Sequence, residues 1–240
     1  MKKIKKIFDF FYNLIYPIKC FDCKKNHYYF CPDCLKIIPN YLNNRCLFCG
    51  VQSLESGDLC IKCKKLYHLN NIQIFTYYDQ EIIKKLIYEM KYNSVFLIAR
   101  DIGIILAKKF KSLFYKKNCL LVPVPMHKAK IKKRGFNQTY LIAQSISRYH
   151  KIPICNDLII KTKNTLPQMS QRNFLKRQDN LKNAFSLNKE KIQDSKNKKI
   201  ILIDDVFTTG TTIKSCAEIL NNYGFKNLNA LIFARKSKKY

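Results

Sequence analysis

The residues that most narrow the chemistry of this chain are Asp204, Asp205, Val206, Phe207, Thr208, Thr209, Gly210, Thr211 and Thr212. An apolar run, Ile201-Leu202-Ile203, leads into two adjacent carboxylates. A Thr- and Gly-containing loop follows, just before a helical pattern begins. The carboxylates can accept hydrogen bonds from neighbouring ribose hydroxyls. The loop and helix start can offer backbone N–H groups and Thr hydroxyls to a phosphate. The layout suits a sugar phosphate.

A second set of residues has metal-ligand spacing. Among the 11 cysteines, Cys20/Cys23, Cys31/Cys34, Cys46/Cys49 and Cys60/Cys63 form four Cys-x-x-Cys pairs. Each pair makes a knuckle with both thiolates on one side, and two knuckles complete a tetrahedral four-thiolate zinc site. Two structural zinc ions are expected. Short spacers favour sequential pairing, with Cys20, Cys23, Cys31 and Cys34 on one ion and Cys46, Cys49, Cys60 and Cys63 on the other. An interleaved pairing also satisfies the ligand count. Such small ribbons draw most of their folding energy from the metal. A disulfide framework would need an oxidising compartment, and no secretion signal is visible. Cys119, Cys155 and Cys216 read as buried small hydrophobes in strand, loop and helix.

Within the ribbons Tyr28, Tyr29, Phe30, Tyr41 and Phe48 alternate with Lys24, Lys25, Lys36 and Arg45. Aromatics beside cations can stack on single-stranded bases. The same residues can equally pack the ribbons or dock them on the main domain. A third cluster is the basic segment 126–138, in which Lys133, Arg134 and Gly135 form the expected pyrophosphate side of the pocket, with Arg134 the preferred anion ligand. These cations can also follow a nucleic-acid backbone, or simply be solvated. His127 in the same segment is a candidate acid–base group.

Composition sets the frame for these clusters. A chain of 240 residues accommodates one main domain plus a small module, and 47% hydrophobic residues suffice for a core. The net charge is +29, from 45 Lys+Arg against 16 Asp+Glu, which attracts nucleic acid or anionic substrates. Part of that excess reflects a Lys-, Asn- and Ile-rich composition. Arg is scarce, so Arg45, Arg100, Arg134, Arg148, Arg172, Arg177 and Arg235 are the candidates for planar, two-pronged anion recognition.

No apolar run approaches the roughly 20 residues of a membrane-spanning helix. Residues 1–19 read as an amphipathic helix that docks on the body or rests weakly on a membrane surface. Asp9 and Asn13 interrupt its apolar stretch and no small-residue cleavage site follows, so a cytoplasmic location is expected.

The elements that must hold these residues follow from periodicity. Residues 72–78 read as a strand, and Asp79 can cap a helix carrying Ile82, Ile83, Leu86, Ile87 and Met90. A helix over 96–114, a strand over 120–125, a helix over 137–149 and a short strand over 158–160 come next. A polar stretch, 161–183, precedes a strand over 199–203, a helix over 211–223 and a strand over 228–233. Alternating strands and helices imply an α/β fold, a parallel sheet covered on both faces, with ligands beyond the carboxyl ends of the strands. The expected organisation is a helix over 1–19, a double zinc ribbon over 20–66 and a main domain over 67–240.

Residues 201–212 resemble the phosphoribosyl pyrophosphate signature of type I phosphoribosyltransferases. The surroundings are Val122-Pro123-Val124-Pro125, Arg134-Gly135-Phe136-Asn137-Gln138 and Thr165…Gln168…Arg172…Arg177…Asn180…Phe185, all after a double zinc ribbon. Together they resemble the ComF family of competence-associated proteins. The resemblance implies a type I phosphoribosyltransferase-like fold, with Asp204 and Asp205 at the ribose and 208–212 around the 5′-phosphate. It implies Mg2+ bridging pyrophosphate and sugar oxygens, Arg134 on the pyrophosphate side and a hood bearing Gln168, Arg172 and Arg177. Asp204, Asp205 and Arg134 are then the catalytic candidates. Competence implies single-stranded DNA and DNA-uptake proteins as partners. The alternative is an active phosphoribosyltransferase, a glycosyltransferase acting on an unidentified base or amine.

Overall fold

A computed structural model describes residues 19–26, 28–41, 45–52, 59–115, 118–163 and 184–237. The expected N-terminal helix and the hood residues Gln168, Arg172 and Arg177 lie outside the described residues.

Two short helices, α1 (Pro32–Ile37) and α2 (Ile61–Tyr67), belong to the cysteine ribbons. The main domain then runs β1 (Asn71–Tyr77), α3 (Glu81–Tyr92), α4 (Phe96–Lys109), β2 (Cys119–Pro123), α5 (Lys128–Arg134) and α6 (Gln138–His150). It continues through β3 (Ile159–Lys161), β4 (Phe185–Leu187), α7 (Ile192–Ser195), β5 (Lys199–Phe207), α8 (Thr211–Asn222) and β6 (Leu228–Arg235). The main sheet is parallel throughout, in the order β1-β6-β5-β2, while β3 and β4 form a separate antiparallel pair.

Both faces of the sheet are covered, as parallel sheets require. On one face Phe75, Leu121, Ile201, Ile203, Leu231 and Phe233 pack against α3, α4 and α6. On the other, Ile72, Ile74, Leu120, Val122, Ile200, Leu202, Ala230 and Ile232 pack against α8 and the β3–β4 hairpin. Helix α3 meets its face with Ile83, Leu86, Ile87 and Met90, the i, i+3, i+4, i+7 stripe. Helices α4 and α6 approach closely at Gly103. A Cβ there would lie 2.5 Å from the Ile142 carbonyl oxygen and 2.6 Å from Ser145 Cβ.

The ribbons share these cores. Cys20, Phe30, Cys31, Cys34 and Ile38 join the α3/α4 side, and Cys46, Leu47, Leu59 and Cys63 join the α8 side. Between them the chain crosses the edge of β1: Tyr41 N–H donates to the Phe75 carbonyl at 2.8 Å, and Asn40 pairs with Thr76. The crossing covers an otherwise exposed sheet edge.

Three local differences from the sequence reading have physical causes. Strand β5 runs through the acid pair to Phe207, because β6 continues beside it to Arg235. Residues 128–134 form helix α5 within what reads as a loop. His127 starts it, its Nδ1 accepting from Ala129 N–H at 3.2 Å, and Gly135 at φ 86° ends it. Asp79 does not cap α3. Its carboxylate accepts from Ser237 N–H at 2.6 Å, and Gln80 takes the cap position.

Candidate functional site

Strand β2 stops at Pro123, which is in register with Ile203, and Val124 N–H still reaches the Ile203 carbonyl at 3.0 Å. Strand β5 runs on past that point beside β6. Asp204 and Asp205 therefore overhang the end of β2, where crevices open in parallel sheets. The chain leaving β2 returns through α5 to α6, whose start is pinned there. Thr139 Oγ1 donates to the Val124 carbonyl at 2.7 Å, and Asn137 caps the helix by accepting from Thr139 N–H.

The pinned helix aims Gln138 at the acid pair. Gln138 Nε2 donates to Asp205 Oδ2 at 3.2 Å, and Arg134 Nη1 donates to Gln138 Oε1 at 2.6 Å. From the opposite side Lys91 of α3 reaches the same Asp205 Oδ2 at 2.8 Å. The two carboxylates consequently differ. Burial pushes Asp205 up, but Lys91, Arg134 and the Gln138 hydrogen bond outweigh it and hold its pKa below the ordinary value. Asp204 is pushed up to about 8 by burial and by the Asp205 charge beside it. Burial disfavours the Lys91 ammonium, yet Asp205, with Asp204 beyond it, raises its pKa.

Downstream, Val206 and Phe207 close the strand and Gly210 at φ 76° caps α8. The Thr209 and Thr211 hydroxyls lie 2.6 Å apart at the helix start. Thr208, Thr209, Thr211 and Thr212 are all partly exposed, while Gly210 is buried. Gly210 has no side chain to occupy the start of this 12-residue helix, whose first N–H groups can meet an anion.

Cations gather beside the acid pair, Arg134 acting on Asp205 and Lys161 on Asp204. Burial lowers the pKa of Lys130, and the nearby Lys161 and Arg134 charges lower it further. Burial also depresses Lys161, against the pull of Cys216 and Asp204. Lys133 and Gly135 are exposed on the outer side of this group. The structure thus gathers Asp204, Asp205, Arg134 and the 206–212 loop at one end of the sheet. Sequence reasoning did not single out Lys91 or Lys161. Lys91 has a legible signal, since Ile83, Ile87 and Lys91 are spaced by four and fall on the buried stripe. Lys161 has none in a lysine-rich chain.

The cysteines fall into sequential sets: Cys20, Cys23, Cys31 and Cys34, then Cys46, Cys49, Cys60 and Cys63, with the sulfur atoms of each set within 4.8 Å of one another. Four convergent thiols are a donor set that fits zinc. Burial opposes ionisation of Cys20, but N–H groups of Cys31, Asp22 and Cys23 hold its thiol down to about 7. Cys46 is held likewise, to about 6, by N–H groups of Cys49, Cys60 and Phe48. Cys119 and Cys216 are buried, and the Cys155 thiol donates to Asp157.

Most ribbon aromatics point inward. Phe30 and Tyr41 are buried, and Tyr29 stacks on Phe21 at 5.8 Å. Phe48 packs against Tyr67 and Phe207, with Lys214 over the Phe48 and Tyr67 rings. Tyr28 is the exposed one of the set. Retained arginines also divide by role. Buried Arg235 donates to the Tyr41 hydroxyl and the Leu47 carbonyl, fastening the second ribbon to β6. Arg45 donates to the Gly50 carbonyl within its knuckle. Among the described residues, Arg134 is the arginine that faces the acid pair.

Residues 97–240 match the phosphoribosyl transferase domain family model. Competence protein F of Haemophilus influenzae is 28% identical over 230 residues, covering 92% of this chain and 98% of that protein. Competence protein ComFC of Bacillus subtilis is 28% identical over 85% of this chain and 78% of that protein. DNA utilization protein YhgH of Escherichia coli O157:H7 is 33% identical over 43% of this chain and 44% of that protein. Among the described residues, no helix is long and apolar enough to cross a membrane. With an acid pair and loop on a parallel sheet, and two four-cysteine clusters ahead of it, the chain belongs to the phosphoribosyl transferase domain family, as a ComF-type member.

Proposed function

We propose that the pocket binds phosphoribosyl pyrophosphate, or a closely related sugar phosphate, with Mg2+, and that the chain handles single-stranded DNA. The observation that supports this reading most is the pair of cations beside the acid pair, Arg134 linked through Gln138 to Asp205 and Lys161 near Asp204, with Lys130 next to both cations. Lys130, whose pKa is lowered by burial and by the Lys161 and Arg134 charges, would be relieved by a multiply charged anion. The 5′-phosphate would take the Thr208 to Thr212 loop, the ribose hydroxyls the Asp204 and Asp205 side, and the pyrophosphate the Lys133-Arg134-Gly135 side. Asp204 and Asp205 are hard oxygen donors of the kind Mg2+ takes alongside phosphate oxygens and water. Bound there, the ion would neutralise pyrophosphate charge.

The names of the relatives, competence and DNA utilization proteins, carry the DNA part of the reading, and the +29 charge is consistent with it. The completeness of the acid pair and loop favours a second reading, transfer of the phosphoribosyl group to a base or amine. The bond from the anomeric carbon to pyrophosphate would break as the acceptor bonds to that carbon. Lys130 and Arg134 would stabilise the departing charge, and positioning would supply much of the acceleration.

The test combines calorimetry of phosphoribosyl pyrophosphate with Mg2+ and anisotropy of a labelled single-stranded oligonucleotide across a salt series, both on zinc-loaded protein. Expected are saturable heat that Arg134→Gln weakens at least tenfold, and DNA binding with a steep salt slope. No heat in the wild type overturns the pocket assignment. No DNA binding at moderate salt overturns the DNA part. Pyrophosphate release that requires an acceptor would select the transferase reading.

A further inference from the structure

With most ribbon aromatics turned inward and Tyr28 alone of that set exposed, further exposed rings lie elsewhere. Tyr88 and Tyr92, one turn apart on α3, are 55% and 61% exposed with ring centroids 5.0 Å apart. Phe96, which begins α4, is 54% exposed and meets Phe136 edge-on at 6.5 Å. Tyr92 and Phe96 flank the α3–α4 turn, which is fastened to the end of α5. Ser94, at φ 58°, donates its hydroxyl to the Arg134 carbonyl at 3.1 Å. Tyr92 lies close enough to Arg134 to act on its guanidinium.

Helix α5 supplies the charge. Its sequence, Lys128-Ala129-Lys130-Ile131-Lys132-Lys133-Arg134, contains no acid, and Lys128, Lys132 and Lys133 are exposed. Glu89 is the acid on the neighbouring turn of α3, and Asn93 donates to its carboxylate at 2.8 Å. Exposed aromatics alone would suit many partners. Beside an all-basic helix they match a ligand with flat apolar faces and a repeating negative charge.

We infer that single-stranded DNA binds across this surface, with its bases stacked on Tyr88, Tyr92 and Phe96 and its phosphates on Lys128, Lys132 and Lys133. The inference rests on the DNA part of the function proposed above and gives it a location. The patch adjoins the pocket, because Arg134 links Tyr92 to Gln138 and through it to Asp205. A strand lying there passes the mouth of the sugar-phosphate site. Since the turn is held by Ser94, the surface is largely preformed.

The experiment measures anisotropy of labelled oligo-dT with full-length, zinc-loaded protein across a salt series. Tyr88→Ala and Phe96→Ala should each weaken binding about tenfold at fixed salt, leaving the salt slope unchanged. Lys132→Gln with Lys133→Gln should lower the slope by roughly 1.4, about 0.7 per lost phosphate contact. Tyr115→Ala, a 90% exposed tyrosine at the amino end of β2, is the control and should bind as wild type. Zinc content and melting temperature report that each variant is folded. Wild-type binding that Tyr28→Ala removes and Tyr88→Ala or Phe96→Ala leaves intact would overturn this location in favour of the first ribbon. Equal binding by all aromatic variants would also overturn it. Absence of wild-type binding would instead overturn the DNA reading beneath it.

Discussion

Phe48 of the second cysteine ribbon and Gly210 of the 206–212 loop are in direct contact: Phe48 Cε1 lies 2.5 Å from where a Cβ on Gly210 would be. Phe207 Cζ is equally close to that point, and the Phe48 and Phe207 rings are 5.7 Å apart. The ribbon is therefore the back wall of the loop. Gly210 also sits at φ 76°, a left-handed conformation that costs a residue with a Cβ about 1 kcal/mol. Gly210→Ala should destabilise the protein by roughly 2–4 kcal/mol, from strain and overpacking together, and weaken sugar-phosphate binding. Phe48→Ala in the same chain relieves only part of the overpacking, so it should recover binding incompletely. Chemical denaturation and calorimetry of the two variants would show this. Wild-type behaviour of Gly210→Ala would mean that the loop moves freely of the ribbon.

The same contact makes the two cysteine clusters unequal. Metal analysis should find two zinc ions per chain, and a strong chelator should remove both. Cys63→Ser breaks the set that holds Phe48 and Leu47, and Leu47 in turn accepts from Arg235. Cys31→Ser breaks the set on the α3/α4 face. Each variant should retain one zinc, because each set is complete without the other. Sugar-phosphate affinity should fall further in Cys63→Ser than in Cys31→Ser. Equal losses would indicate that both ribbons act only through overall stability.

Asp204 makes stability depend on pH in a direction unusual for a carboxylate. Its pKa rises from the ordinary 3.8 to about 8 in the folded protein. Between those values the folded state keeps a proton that the unfolded chain has released. The contribution is fully present below the lower value and is lost as pH rises through the upper one. An ideal isolated site loses about 1.4 kcal/mol per pH unit in that window. Asp204→Asn cannot ionise, so its stability relative to wild type should improve steadily from pH 5 to pH 8. Urea unfolding of both proteins at several pH values measures the difference. Parallel curves would place an ionised Asp204 in the free protein.

Much of this arrangement is legible in the sequence because the features are local. The acid pair follows an unbroken apolar run, and Cys-x-x-Cys spacing forces each knuckle. Sequential grouping of the knuckles follows from short spacers, although ligand count alone leaves it open. Helix α5 hides because Ile131 is its sole large apolar residue, so no stripe betrays it. Ribbon aromatics are ambiguous for a different reason. Phe48 and Tyr28 look alike in sequence, but one meets Phe207 across 159 positions and the other meets solvent. Only the course of the chain across the edge of β1 decides which ring turns inward.

Lys91 gives the sharpest test of how the acid pair is held. Its ammonium, on the buried stripe of α3, bonds the 4%-exposed Asp205 at 2.8 Å. Removing one member of a buried pair leaves the other charge uncompensated, at a cost of about 3–5 kcal/mol when burial is complete. Lys91 keeps some exposure, so Lys91→Met should fall towards the lower end. Asp205 then loses a cation that holds its pKa down and should titrate at higher pH. Lys91→Met with Asp205→Asn removes both charges while Gln138 can still hydrogen-bond the amide, and should recover much of the lost stability. Nothing in that recovery requires the pocket to work, so binding should stay impaired in the double variant. Recovery of binding along with stability would mean that the Asp205 charge serves the fold alone.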